Sequence, residues 1–390
     1  MKKILLVSLA VTSMGCSDLE TEKLKISVNL ENSETGKFSD LFSSIDYLLL
    51  DMGENEVLVR PYHIDFSSDK IIVEDRDLAN IHIFDRTGKL QSSIKSSDSG
   101  GPNSIKQTEY IQVVEDKIYV SDIPLKKIIT FNLYGNFIEE KKEQTFFDAF
   151  HYFGKERVLF LGLKNNPNQK LFIRETLADN DTSALYKFPI AYDWMGIGSK
   201  DGFMKDEFSK SVFFNIPYSY EIVEFNEKGE ISNNFEFDFG RFGLGHNDRY
   251  RQAEARNLDK YLGENGLINN ISSFFPMKDS FFMYLYQNSA EGKPTHHFLL
   301  FDRDLKLRYQ SINPKNDFDG MVMGIPWTFH DNKIYVILNS VSFYNKYIEL
   351  YAGQKISITP GSIHEFFQKN KEKLKDDQTV LVSLTLKDSL

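Results

Sequence analysis

Apolar residues in this chain recur at alternate positions, in short runs, and the runs come back at a fixed interval. Asp69-Lys-Ile-Ile-Val-Glu-Asp75 is matched 47 positions later by Asp116-Lys-Ile-Tyr-Val-Ser-Asp122. Nineteen residues beyond each opening aspartate stands a glycine, Gly88 and Gly135, and Phe84-Asp85 and Phe131-Asn132 precede them. Period-two alternation predicts strands whose faces pack on neighbouring sheets. A repeat of this length built only from strand-like pieces predicts a radially repeated sheet. Each unit reads as four strands, and the turn before the fourth needs a residue at positive φ, which glycine supplies at little cost.

The same register continues in weaker form. Val158-Leu-Phe-Leu161 and Leu171-Phe-Ile173 mark a third unit, and Val212-Phe-Phe214, Ile222-Val-Glu-Phe225 and Asn226-Glu-Lys-Gly229 a fourth. Phe301-Asp-Arg-Asp-Leu-Lys-Leu307 copies Phe84-Asp-Arg-Thr-Gly-Lys-Leu90 except at two turn positions, and Asn332-Lys-Ile-Tyr-Val336 opens a sixth unit. Second strands therefore begin near residues 69, 116, 156, 210, 279 and 332. The predicted fold class is all-β, a six-bladed β-propeller with two short helical insertions. The ring is expected to close by pairing the C-terminal Thr379-Val-Leu-Val-Ser-Leu-Thr-Leu386 with N-terminal strand material around Ile45 to Leu50. The insertions read as one helix over residues 247–262, with Asn247 as N-cap and Gly263 as stop, and a second over 360–375. Both are expected over blade edges or the rim. Residues 163–170 and 287–297 read as polar hairpin tips.

The first residues break this pattern. Met1-Lys2-Lys3 is basic, Ile4 to Val11 is apolar, and small residues lead to Gly15-Cys16. This is a secretory signal layout, too short to span a bilayer. Cys16 is the only cysteine in the chain. Its place after a small residue resembles a bacterial lipobox, which implies lipidation at Cys16 and anchoring in a membrane; the plain alternative is an ordinary signal peptide. The domain reading is a signal peptide over 1–15, a lipid-anchored tether and N-terminal strand over 16–40, and the propeller over 41–390. Without Lys2 and Lys3 the chain has 44 basic against 56 acidic residues, a net −12. That balance disfavours nucleic acid.

The run from Ile45 to Glu140 resembles the six-bladed β-propeller lipoproteins of Bacteroides-type bacteria, related in shape to NHL-repeat proteins. Asp69-Lys-Ile-Ile-Val73, Ile83-Phe-Asp-Arg-Thr-Gly88, Gly100-Gly-Pro102 and Asp116-Lys-Ile-Tyr-Val120 carry the likeness, and Thr379-Val-Leu-Val382 is similar to the family's closing strand. In that family an acid and an aromatic usually follow the Gly-Pro pair directly; here they come later, as Glu109-Tyr110. The resemblance implies an architecture and an outer-membrane, surface-exposed location, with no established reaction.

The chemistry-bearing residues are sparse in pattern. No histidine sits at HExxH spacing, and His296-His297 would point to opposite faces of a strand, so no metal site and no cofactor is expected. No Gly-x-Ser-x-Gly occurs, and Gly243-Leu-Gly245 reads as a turn. The turn residues Asp85 and Asp302 and the unit openers Asp69, Asp116 and Asp279 read as acceptors for nearby backbone N–H groups rather than as calcium ligands. Aromatic residues make up 14% of the chain, most of them wanted for blade-on-blade packing. The exceptions stand near the predicted innermost strands: Arg60, Tyr62 and His63; Glu109 and Tyr110; Asp148 and His151; Trp327 and His330. Each group enters a different innermost strand, and all nine are expected to converge on one funnel suited to a polar ligand; core packing is the competing reading for each. The expected role is a non-enzymatic binding or scaffold protein for a glycan, a peptide or an outer-membrane protein partner. The alternative is a carbohydrate lyase or hydrolase using His63, Glu109, Asp148 and His151.

Overall fold

A computed structural model describes residues 23–97, 103–162, 170–177, 182–187, 202–288 and 293–388. The signal segment, Cys16, the acidic residues after it, Gly100–Pro102 and parts of both hairpin tips lie outside the described residues.

Six antiparallel sheets of four strands form the ring. From the innermost strand outward, blade 1 comprises Pro61–Phe66, Lys70–Asp75, Asn80–Asp85 and Leu90–Ile94. Blade 2 comprises Tyr110–Val114, Lys117–Asp122, Lys127–Asn132 and Phe137–Lys142, and blade 3 Ala149–Phe153, Glu156–Phe160, Lys170–Thr176 and Thr182–Lys187. Blade 4 comprises Phe203–Lys205, Val212–Asn215, Glu221–Phe225 and Ile231–Asp238; blade 5 comprises Ile268–Pro276, Ser280–Gln287, Thr295–Asp302 and Leu307–Lys315. Each innermost strand touches the next, and that of blade 6, Pro326–His330, touches that of blade 1, so the ring is complete. Second strands start within two residues of the positions expected from the repeat.

Blade 6 is made from both ends of the chain. Pro326–His330, Lys333–Asn339 and Thr379–Leu386 are followed outward by Phe42–Leu50, and Val380, Leu381 and Val382 face Leu49, Leu48 and Tyr47. The closure predicted from the two strand-like termini is present. Before reaching blade 6 the chain lays a strap along the outside of the ring. Lys23–Ser27 pairs parallel with the outermost strand of blade 4, and Glu34–Lys37 pairs parallel with that of blade 5. These strands give both blades a fifth member and cover edges that would otherwise present unpaired N–H and C=O groups. Val28, Leu30 and Phe38 fasten the strap by burying their side chains, Phe38 as the first residue of a one-turn helix, α1 (Phe38–Leu41).

The repeat residues have mechanical roles. The side chains of Asp85, Asn132, Asn226 and Asp302 each accept backbone N–H bonds from residues two and four positions on. At the glycine position of these turns φ is +84° at Gly88, +81° at Gly135, +70° at Gly229 and +58° at Leu305. The closing aspartate of the repeated heptad is fully buried. Asp75 accepts from the Val59, Arg60, Asp77 and Leu78 amides, and Asp122 from those of Lys106 and Leu125. It ties the loop entering its blade to the turn beside it.

The helical insertions differ in detail from the sequence reading. Residues 247–262 form two helices, α2 (His246–Glu254) and α3 (Leu258–Glu264), broken where Arg256 adopts φ +54°. Gly245 rather than Asn247 caps the first, and Gly263 lies inside the second. The break lets Ala253, Leu258 and Leu262 all bury on one surface. Residues 360–375 hold α5 (Ile363–Asn370), capped by the Ser362 hydroxyl, and a single 3-10 turn at Lys373–Lys375. A further helix, α4 (Ser340–Tyr351), continues directly from the second strand of blade 6 and is capped by Asn339. Both insertions connect strands on the side of the ring where the innermost strands begin. Phe343, Phe366 and Tyr47 form a ring cluster that seats α4 and α5 over the outermost strand of blade 6.

Candidate functional site

The innermost strands all run the same way, so they give the channel an entry mouth, where they begin, and an exit mouth, where they end. The nine residues expected in one funnel are spread along the channel, five at the entry mouth, three in the wall and one at the exit mouth. A strand advances about 3.3 Å per residue, so a residue at the end of a five-residue strand stands on the order of 13 Å from one at its start.

Arg60, Tyr62, Glu109, Asp148 and Trp327 gather at the entry mouth. The Trp327 indole N–H donates to the Tyr62 carbonyl at 2.8 Å, and the two rings stand edge to face at 6.4 Å. The Arg76 guanidinium lies 4.0 Å over the Tyr62 ring and pairs with Glu109 at 3.5 Å. Burial, reinforced by the Glu109 charge and opposed by Arg76, pushes the Asp148 carboxyl up to about 7. Arg60 is exposed and bonds Asp77.

His63, Tyr110 and His151 belong to the channel wall. Tyr110 is 2% exposed, packs edge to face on His63 at 4.8 Å, and accepts the Phe203 amide through its hydroxyl. His151 is buried against Phe153 and Phe203 and bonded to Gln112, and burial pushes its imidazole down to about 3. These residues are packed into the wall of the channel. They border a cavity of about 290 Å³ that also meets Asp65 and Lys205. Tyr62, Trp327 and His330 line the same cavity, so six of the nine expected residues share one space, while Arg60, Glu109 and Asp148 are not among its lining. Asp65 accepts the Val113 and Phe66 amides, yet burial outweighs those bonds and pushes its carboxyl up to about 6.

His330 stands at the exit end of the cavity that Trp327 also lines. Its ring stacks on Phe66 with centroids 4.8 Å apart and planes 6° apart. The Arg86 guanidinium donates to His330 Nε2 at 2.7 Å and to the Ser67 carbonyl, and it lies over the Phe66 ring. With Nε2 accepting, the proton is on Nδ1, and it goes to Glu207 Oε1. The other carboxylate oxygen accepts the Asp331 amide at 2.7 Å. Burial works against the charge on Glu207, but these bonds win and hold its carboxyl below the usual range. Beside this chain a cleft of about 590 Å³ opens between blades 6 and 1. Asp46, Lys333, Tyr335 and Ser383 line it, and it shares Phe66, Ser68, Glu207 and His330 with the channel cavity.

Arg76, Arg86, Asp65 and Glu207 escaped the sequence reading. Arg86 carried a signal, since Arg303 occupies the same turn position in blade 5. There it donates to the Met277 carbonyl and pairs with Asp206 of blade 4 at 2.7 Å. Glu207 carried none. It sits in a six-residue turn, 206–211, where the other five blades use two or three residues. Among the described residues no group of three or more His, Cys, Asp or Glu stands together as a metal site, and no helix is long and apolar enough to cross a membrane.

A sequence model described as "Domain of unknown function (DUF4934)" matches residues 21–384. No curated protein matches the chain. Among solved structures, a Bacteroides fragilis protein whose name calls it exported superposes with a TM-score of 0.67 at 14% identity, covering 94% of this chain and all of that one. A Bacteroides vulgatus member of the DUF4221 family superposes with a TM-score of 0.54 at 13% identity, covering 89% of this chain and 97% of its own. At these identities the likeness is one of fold.

Proposed function

The chain belongs to the DUF4934 family, and on that footing we propose that it is an exported, lipid-anchored β-propeller that binds a polar ligand at the exit mouth without transforming it. The observation that carries this reading is the meeting of two cavities at Phe66, Ser68, Glu207 and His330. Groups from blades 1, 4 and 6 converge there on a rigid ring. The combined space is of the size that small-molecule sites occupy, with a few placed polar groups among larger side chains. A glycan fits this lining, since hydroxyl-rich ligands use mixed acidic, basic and serine partners. Export rests on the basic and apolar start of the chain, in keeping with the name of the B. fragilis protein. Anchoring rests on Cys16.

A glycan array probed with the purified domain, followed by calorimetry on any hit, tests the binding reading. His330→Ala and Arg86→Ala are expected to weaken a hit at least ten-fold; a hit insensitive to both places the ligand elsewhere. Membrane fractionation of Cys16→Ala tests the anchor, and unchanged fractionation refutes it.

A second reading, a carbohydrate-active enzyme, draws on one observation at the entry mouth. Burial and the nearby Glu109 raise the Asp148 carboxyl, and a raised carboxyl is what the acid of a glycosidase needs. A reducing-end assay on the array hits decides between the two. New reducing ends that disappear in Asp148→Asn establish the enzyme and end the purely binding account.

A further inference from the structure

Glu207 belongs to blade 4 but spends its carboxylate on blade 6, two blades round the ring. Each of its oxygens takes one donor there, the His330 Nδ1–H and the Asp331 amide. Those two donors make a cradle shaped for a carboxylate. Arg86 stands behind the imidazole and, by donating to Nε2, obliges Nδ1 to be the donor. Arg86 itself is braced on the Ser67 carbonyl and over Phe66. The cradle is thus built by blades 6 and 1 and would be complete without blade 4.

The segment that carries Glu207 is rooted independently. Asp206 is 1% exposed and accepts from Arg303, the Phe208 amide and the Ser209 hydroxyl. None of these bonds involves Glu207. Its side chain can therefore leave the cradle while the turn stays in place, and a carboxylate held by partly exposed donors is exchangeable at modest cost.

We propose that Glu207 is an internal stand-in and that the cleft between blades 6 and 1 takes a sugar acid, whose carboxylate replaces Glu207 on His330 and the Asp331 amide. The rest of the cleft suits the remainder of such a ligand. Tyr335 offers a ring, Ser68 and Ser383 offer hydroxyls, and Asp46 accepts from sugar hydroxyl groups. Lys333 and Arg86 add positive charge to the lining. This inference rests on the binding reading above and names its ligand class. It also implies that the resting protein is self-blocked, since apparent affinity falls by the fraction of molecules in which the cradle is free.

The test is calorimetry with sodium D-glucuronate and with methyl glucoside, on wild type, Glu207→Ala and Glu207→Gln, each first shown to melt cooperatively. Glu207→Ala is expected to bind glucuronate roughly ten-fold or more tightly than wild type, the scale of one charged hydrogen bond. Glu207→Gln, which keeps one acceptor oxygen, should fall between them. Adding His330→Ala to Glu207→Ala should abolish the gain, and methyl glucoside should respond to none of these changes. Equal or weaker glucuronate binding by both Glu207 variants overturns the proposal. A neutral glycan bound through His330 and indifferent to Glu207 overturns it while leaving the binding reading intact; no sugar bound by any variant removes both.

Discussion

Gly88 occupies the joint between the last blade and the first. Its carbonyl accepts the Asp51 amide, and a Cβ built on it would stand 2.2 Å from the Leu49 carbonyl oxygen, at φ +84°. Gly53 has a similar φ of +71° and nothing within 4 Å of its Cβ position. Gly53→Ala should therefore cost about 1 kcal/mol from backbone strain alone, whereas Gly88→Ala should cost about 2–4 kcal/mol by adding a backbone clash. Urea denaturation of the two variants reads the difference, and equal losses would refute the joint's role. Asp148 gives a pH test. Its folded value of about 7 lies above the ordinary aspartate value of 3.8, so between about pH 4 and 7 the folded state holds a proton that the unfolded chain has released. This group's contribution to stability is present at low pH and is lost as pH rises through that window. Asp148→Asn should flatten the wild-type decline in melting temperature across it. At this scale the sequence was legible where a residue serves the repeat, as with the turn acceptors Asp85 and Asp302, because local backbone geometry dictates them. It was illegible where a side chain works across blades, as with Glu207 and Arg76, since their partners are fixed by ring closure and not by neighbours in sequence.

The turns that join third to fourth strands are more than connectors. In blades 1 and 5 the arginine after the turn acceptor reaches a carbonyl of its own blade and a polar group of the preceding blade, His330 and Asp206 respectively. The device staples neighbouring blades at the exit side. Asp206 is almost wholly buried, so Arg303→Ala would leave its charge without its main partner and should cost about 3–5 kcal/mol. The double variant with Asp206→Ala should cost less than the two single losses added together, and strict additivity in thermal or urea unfolding would show that the pair is not coupled. Elements with period-two alternation were predictable. Helix α4 was not, because Val341, Phe343, Tyr344, Tyr347 and Ile348 are residue types that also favour strands, and packing of Phe343 and Tyr347 decides for the helix. The α2–α3 break likewise follows from a surface that needs Ala253 and Leu258 together, which no local stop signal announces.

The ring as a whole is fastened twice by the N-terminal segment, once by the closing strand Phe42–Leu50 and once by the strap over blades 4 and 5. Removing residues 23–37 should leave blade 6 paired but uncover two sheet edges. The shortened protein is expected to melt at a lower temperature and to associate with rising concentration in sedimentation velocity, as exposed edges do. A monomer of unchanged stability would show that the strap is decorative. Blade number and closure were readable in the sequence because six similar segments and two orphan strands admit few arrangements. The place of each candidate residue along the channel was not, because it depends on which end of a short strand each side chain occupies.

The strap also sets an order of events. Residues 23–50 are made long before their partners, residues 234–238, 311–315 and 379–386. The strap can pair once blades 4 and 5 have been made, but Phe42–Leu50 must wait for Thr379–Leu386, and the circle locks only when that strand arrives. A polypeptide built this way stays unlocked throughout synthesis, and maturation into the closed ring becomes a single late step governed by the slow meeting of distant partners.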